Sequence, residues 1–119
     1  MKVLLVDDQP LFLEGFANLL DTHGIEVVGR ARDGREALDR ARDLCPDVVL
    51  MDVEMPHCDG LEATRRIKAE MPDVKIVLFS VSPDDYDLRE AIRCGASGYM
   101  LKDLSATDLF GMLSRLVNT

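Results

Sequence analysis

Four short apolar runs, each ending on a group that can handle a metal ion or a phosphate, constrain this chain most. Val3-Leu4-Leu5-Val6 leads into Asp7-Asp8, and Val48-Val49-Leu50-Met51 leads into Asp52. Ile76-Val77-Leu78-Phe79 leads into Ser80, and Gly98-Tyr99-Met100-Leu101 leads into Lys102. Strands without polar alternation are covered on both faces, as in a parallel sheet flanked by helices. In an open parallel sheet the carboxyl ends of the strands share one edge, where ligands bind. Three carboxylates, a hydroxyl and an ammonium gathered there suit a metal-assisted phosphoryl transfer.

The segments between the runs read as helices. Pro10 to Leu20 carries Leu13, Phe16 and Leu20 at helical spacing, and Thr22-His23-Gly24 closes it. Ile25-Glu26-Val27-Val28-Gly29 alternates more than the other strands and is expected at a sheet edge. Asp33-Gly34 turns into a second helix ending near Leu44-Cys45-Pro46. A third helix spans roughly Gly60 to Glu70, and Pro72-Asp73 introduces the fourth strand. Ser82-Pro83-Asp84-Asp85 has the cap, first-turn proline and acids of a helix start, and Cys94-Gly95-Ala96 ends that helix. The last helix runs from Ser105 to about Val117. Alternating strands and helices joined by right-handed crossovers give an α/β sheet with helices on both faces. The first, third and fourth strands, being the most apolar, are expected in the centre. Two arrangements fit, strand order 2-1-3-4-5 or a longer fold cut short; five units finishing together with the chain favour the first.

The 119 residues suit one domain. No apolar run approaches the roughly 18 residues of a membrane span, and Met1-Lys2 runs into a strand with no secretory signal region, so the expectation is a cytoplasmic protein without membrane contact. The net charge of -8 disfavours direct nucleic-acid binding by this segment, because phosphates attract basic surfaces. Cys45, Cys58 and Cys94 form no C-x-x-C pair and are expected to act as small buried hydrophobes, not as a disulfide framework or zinc site. His23 and His57 read as structural or surface residues.

Taken singly, each polar group has an ordinary explanation. Asp8 could cap the following helix, Asp52 could be a turn residue, Lys102 a surface lysine and Tyr99 a core aromatic. Their convergence on four strand ends argues for a site. Close carboxylates raise one another's pKa unless a cation neutralises them, and a hard divalent ion such as Mg2+ suits oxygen donors shared with a phosphate. A carboxylate can itself attack phosphorus, with metal, lysine and hydroxyl stabilising charge on the transferring oxygens.

These residues resemble the receiver domains of two-component response regulators over essentially the whole chain. The spacing is 44 positions from Asp8 to Asp52, 28 from Asp52 to Ser80 and 22 from Ser80 to Lys102. Met55-Pro56-x-x-Asp59-Gly60 and Gly95-Ala96-x-Gly98-Tyr99-x-x-Lys102 also match that family's loops. The resemblance implies a flavodoxin-like (βα)5 fold over residues 1–119, with sheet order 2-1-3-4-5, shared by flavodoxins and a chemotaxis receiver. It implies that Asp52 accepts a phosphoryl group from a sensor histidine kinase. Asp7, Asp8, Asp52 and the Glu54 backbone carbonyl would hold Mg2+, and Lys102 would pair with the phosphoryl oxygens. Ser80 would move toward the phosphoryl group and Tyr99 inward behind it, changing the surface of the fourth helix, fifth strand and fifth helix. Such a domain modifies itself and slowly loses the phosphate; it is not an enzyme in the turnover sense. Many receivers follow the lysine with a cis-proline, whereas Asp103 follows Lys102 here and a trans bond is expected. Glu54, two residues beyond Asp52, leaves the lifetime of the phosphate open.

The Phe79-Ser80-Val81-Ser82 and Gly98 to Asp103 stretches look most like the subclass joined to a helix-turn-helix DNA-binding domain, which this segment lacks. Transcriptional control through that domain is the leading expectation, and a stand-alone or phosphorylation-independent receiver the alternative. On the last helix, Leu109, Met112, Leu113 and Leu116 form a core stripe. Phe110 and Val117 lie roughly 80 to 100° round from Leu109 at 3.6 residues per turn, either at the core margin or in a phosphorylation-linked homodimer contact. Two rivals are weaker. A flavin-binding module needs a glycine-, serine- or threonine-rich first loop where Asp7-Asp8-Gln9-Pro10 stands, and an aspartate-nucleophile phosphatase, with Glu54 as general acid, needs a cap insertion.

Overall fold

The computed structural model describes residues 1–53, 60–80, 85–102 and 105–117, the side chains of 85–87, 106 and 117 excepted. Five strands and five helices alternate: β1 (Lys2–Val6), α1 (Pro10–Thr22), β2 (Glu26–Ala31), α2 (Gly34–Leu44), β3 (Val48–Asp52), α3 (Gly60–Glu70), β4 (Lys75–Ser80), α4 (Asp85–Cys94), β5 (Gly98–Leu101) and α5 (Ala106–Val117). All strand pairs are parallel, in the order β2-β1-β3-β4-β5. The three most apolar strands, β1, β3 and β4, are the central ones.

Strand alternation divides the core between the two faces. Leu4, Val6, Val49, Met51, Ile76 and Leu78 pack under Ala37 and Ala41 of α2, Ala63 and Ile67 of α3 and Ala91 of α4. Val3, Leu5, Val48, Leu50, Val77 and Phe79 pack under Leu13, Ala17 and Leu20 of α1 and Leu109 and Leu113 of α5. Met112 and Leu116 complete the expected α5 stripe as half-buried neighbours.

Several local expectations change. The edge strand β2 begins one residue later and ends two later than its alternation suggested, because Ile25 turns into the α1-side core while Arg30 and Ala31 still pair with β1. Cys45 is not a small buried hydrophobe: it is exposed, at φ 48° in the left-handed cap of α2. Cys94 is buried, and both are free thiols. Cys58 and His57, and the Ser82-Pro83 cap of α4, lie outside the described residues. The α5 start is as read, with the Asp108 N–H donating to Ser105 Oγ at 3.2 Å. Phe110 is half-buried against the core and stacks on His23 of the α1 terminus, with ring centroids 4.0 Å apart. That contact gives Phe110 packing at the core margin; the Val117 side chain lies outside the described part. No helix among the described residues is long and apolar enough to cross a membrane.

Candidate functional site

Register sets the site. Val6 lies opposite Met51, Asp52 opposite Phe79 and Ser80 opposite Leu101, so Asp7, Asp52, Ser80 and Lys102 reach the same carboxyl edge within a residue of one another. Asp52 and Ser80 are the last residues of their strands, and the Lys102 N–H donates to the Ser80 carbonyl at 2.9 Å.

Asp7, Asp52 and Ser80 are buried, at 1 %, 7 % and 2 % exposure, so all three must be served by partners other than bulk water. Lys102 Nζ lies 2.8 Å from Asp7 Oδ2 and 3.0 Å from Asp52 Oδ2, bridging the two carboxylates. Asp8 is exposed at the rim, yet one oxygen from each of Asp7, Asp8 and Asp52 lies within 4.8 Å of the others. Asp8 does not cap α1. Gln9 occupies the cap position without a side-chain bond, and Asp7 Oδ1 instead accepts the Gln9 N–H at 2.9 Å.

Electrostatics follow from this crowding. Burial pushes the Asp7 carboxyl above its ordinary value and Asp52 repels its charge, while Lys102 and the Gln9 N–H only partly offset the rise. Burial pulls Lys102 down, but its bonds to Asp7 and Asp52 outweigh that and leave it raised. The ammonium thus serves as the internal counter-ion of an acidic pocket. Three hard carboxylate donors with one open, solvent-facing member suit a small divalent cation that keeps some of its waters. Glu54 lies outside the described residues.

Tyr99 is half-buried on β5 against the α2–α4 side of the core. Alternation puts Ser80 on the same side as Leu78, which lies opposite Tyr99. A cavity of about 190 Å³, lined by Leu88, Ala91 and Ile92 of α4 and Ser97, Gly98 and Tyr99, adjoins that ring.

Two residues at the site escaped the sequence reading, and a third, Gly60, was read only as a loop-motif residue and helix start. Gln9 Oε1 lies 3.4 Å from Lys102 Nζ, and the Phe12 ring centroid lies 4.6 Å from the same atom. Gly60 opens α3 where a Cβ would meet the Asp52 carbonyl oxygen at 2.4 Å, so α3 can approach the end of β3 only through glycine. The Asp59-Gly60 dipeptide was the available signal for Gly60; nothing local to the sequence marks Gln9 or Phe12.

Comparison with known proteins agrees with this architecture. The family model described as response regulator receiver domain matches residues 3–114. The chain is 47% identical over 103 residues to response regulator GacA of Pseudomonas aeruginosa, covering 86% of this chain and 48% of that protein. It is 42% identical over 107 residues to the transcriptional regulatory protein LnrK of Bacillus subtilis, covering 89% and 49%. It therefore spans about half the length of these curated relatives. Among solved structures, a LuxR-family two-component response regulator from Aurantimonas superposes with a TM-score of 0.92 at 33% identity, over 98% of this chain and 85% of that one. The receiver domain of the putative regulator NarL from Mycobacterium tuberculosis gives 0.92 at 32% identity, over 99% and 97%. With its fold, its acidic edge and these relatives in agreement, the chain belongs to the response regulator receiver domain family.

Proposed function

We propose that this domain is a magnesium-dependent phosphoacceptor. Asp52 takes a phosphoryl group from a phosphohistidine of a sensor kinase, and the modified domain controls transcription through a DNA-binding segment elsewhere in the protein. The observation that carries the reading is the Lys102 bridge between buried Asp7 and Asp52, beside Asp8. It holds a nucleophilic carboxylate, a cation for the incoming charge and a metal-competent donor set at one sheet edge.

An Asp52 carboxylate oxygen attacks phosphorus as the bond to the donor nitrogen breaks, and the imidazole leaves with the electron pair and takes a proton. Asp7, Asp8, Asp52 and the Glu54 backbone carbonyl would hold Mg2+. A divalent ion there neutralises the carboxylates and draws charge from the phosphoryl oxygens. Lys102, already 3.0 Å from Asp52, turns its ammonium to a phosphoryl oxygen. Ser80 moves to donate its hydroxyl to the same group, and Tyr99 follows into the space behind it. The ring's half-buried place beside the α4 cavity suits two stable positions, and a differential interaction of a few kcal/mol is enough to select one. The domain modifies itself once and then loses the phosphate by hydrolysis, without turnover on a separate substrate. A phosphorylation-linked homodimer is part of this reading, with the half-buried Phe110 on the flank of α5 as its candidate contact.

The test is intact-protein mass after incubation with acetyl phosphate, with and without Mg2+, on wild type and Asp52→Asn. One added phosphate that needs both Mg2+ and Asp52 is expected. Wild type that gains neither phosphate nor a stable beryllofluoride adduct sinks the reading in favour of a phosphorylation-independent interaction module.

A further inference from the structure

The aromatic face beside Lys102 is a part of the site that ion pairing does not explain. Phe12 stands in the first turn of α1, half-buried, while its neighbour Leu11 is 86 % exposed. Its ring lies under Lys102 Nζ at 4.6 Å, within reach of a cation–π attraction. The ring is itself fixed. It stacks on Phe16 at 5.3 Å, and Phe16 meets Phe79 edge-on at 5.4 Å. Phe79 lies opposite Asp52 in the sheet, and its carbonyl accepts the Val53 N–H at 2.9 Å. Three rings thus tie the lysine head to the strand pair that carries Asp52 and Ser80.

Resting on the phosphoacceptor reading, we propose that Phe12 is a positioning residue for Lys102, holding the ammonium at the phosphoryl site once its carboxylate partners have been engaged elsewhere. Lys102 is held by Asp7 and Asp52, yet these are the groups that a divalent cation and a phosphoryl group would occupy. A neutral ring face binds neither, so its attraction for the ammonium persists when the ion pairs are lost. Gln9 Oε1, at 3.4 Å and in an exposed position, is a weaker hold. With Asp103 after Lys102, no proline stiffens the chain at that point, and the ring supplies an anchor from the opposite side.

The test keeps the shape and changes the charge of the ring face. Phe12 is replaced by mono-, di- and trifluorophenylalanine, and separately by Tyr and Leu, in the whole chain. Three quantities are read: beryllofluoride affinity in the presence of Mg2+, the rate of phosphorylation by acetyl phosphate, and Mg2+ affinity alone. Beryllofluoride affinity and rate should fall in step with fluorination, by about 2- to 5-fold in total, the scale of one exposed cation–π contact. Phe12→Tyr should stay near wild type, Phe12→Leu should match the most fluorinated ring, and Mg2+ affinity should not fall in any of them. A flat series in a wild type that does take beryllofluoride overturns the positioning role alone. A wild type that takes neither beryllofluoride nor phosphate overturns the phosphoacceptor reading and this inference with it.

Discussion

Lys102 is the residue on which most of the site's energetics turn. Its side chain is only 11 % exposed and touches two buried or nearly buried carboxylates, so its charge is poorly screened. The same ammonium that neutralises Asp7 and Asp52 must also repel any second cation brought to them. Replacing it with alanine should therefore tighten Mg2+ binding, by roughly tenfold for about 1.4 kcal/mol of relieved repulsion. It should also slow phosphorylation, since the phosphoryl oxygens lose a fixed positive partner. Calorimetric titration with Mg2+ and intact-mass kinetics on Lys102→Ala separate the two effects. Weaker metal binding in that variant would contradict the internal counter-ion role.

At the scale of elements, the strands and helix stripes were legible because each is written in a local period. Val3 to Val6 and Val48 to Leu50 are at most 2 % exposed, as uninterrupted apolar runs of a central parallel strand should be. The polar ends of those strands were legible for the same reason, since register follows from the runs. What was not legible depends on contacts between segments far apart in sequence. Phe12 reads as one more apolar residue of α1 until Lys102, 90 positions later, is brought over its ring. Cys45 reads as a core residue until the left-handed cap turns it outward. Gly60 shows how one residue joins two elements. Its missing Cβ lets α3 start against the Asp52 carbonyl, and its own N–H donates to Val53 O at 2.9 Å. Gly60→Ala should cost about 1–3 kcal/mol, because the clashing atom is backbone and cannot rotate away. It should also slow Asp52 phosphorylation, as the end of β3 shifts. Denaturant unfolding and acetyl phosphate kinetics would read both. By contrast, Asp33→Ala removes only the cap on the Glu36 N–H and should cost about 1 kcal/mol with phosphorylation unchanged.

For the whole molecule, the acidic pocket makes stability a function of pH and metal together. Asp7 is raised above its ordinary 3.8, so its favourable contribution is complete below that value and is lost as pH rises through the raised one. Lys102 is raised above 10.5, so its contribution persists through neutrality and is lost only as pH rises through its own raised value. Metal-free protein therefore keeps the Lys102 contribution through neutrality, whereas that of Asp7 is lost over the interval between 3.8 and its raised value. A divalent ion bound to the folded state alone restores stability by mass action, about 2.7 kcal/mol at a hundredfold excess over Kd. Protons compete with it as pH falls through the raised Asp7 value, because the metal needs the carboxylate form. Asp7→Asn removes the buried charge, so in EDTA above the raised Asp7 value this variant should melt at a higher temperature than wild type and gain much less from Mg2+. The wild-type gain should shrink as pH falls through that raised value. Melting curves with EDTA and with Mg2+ across a pH series give all the comparisons. An Asp7→Asn protein that melts lower than wild type in EDTA, or gains as much from Mg2+, would mean that Asp7 is neither the strained carboxylate nor the metal donor that its burial and neighbours make it.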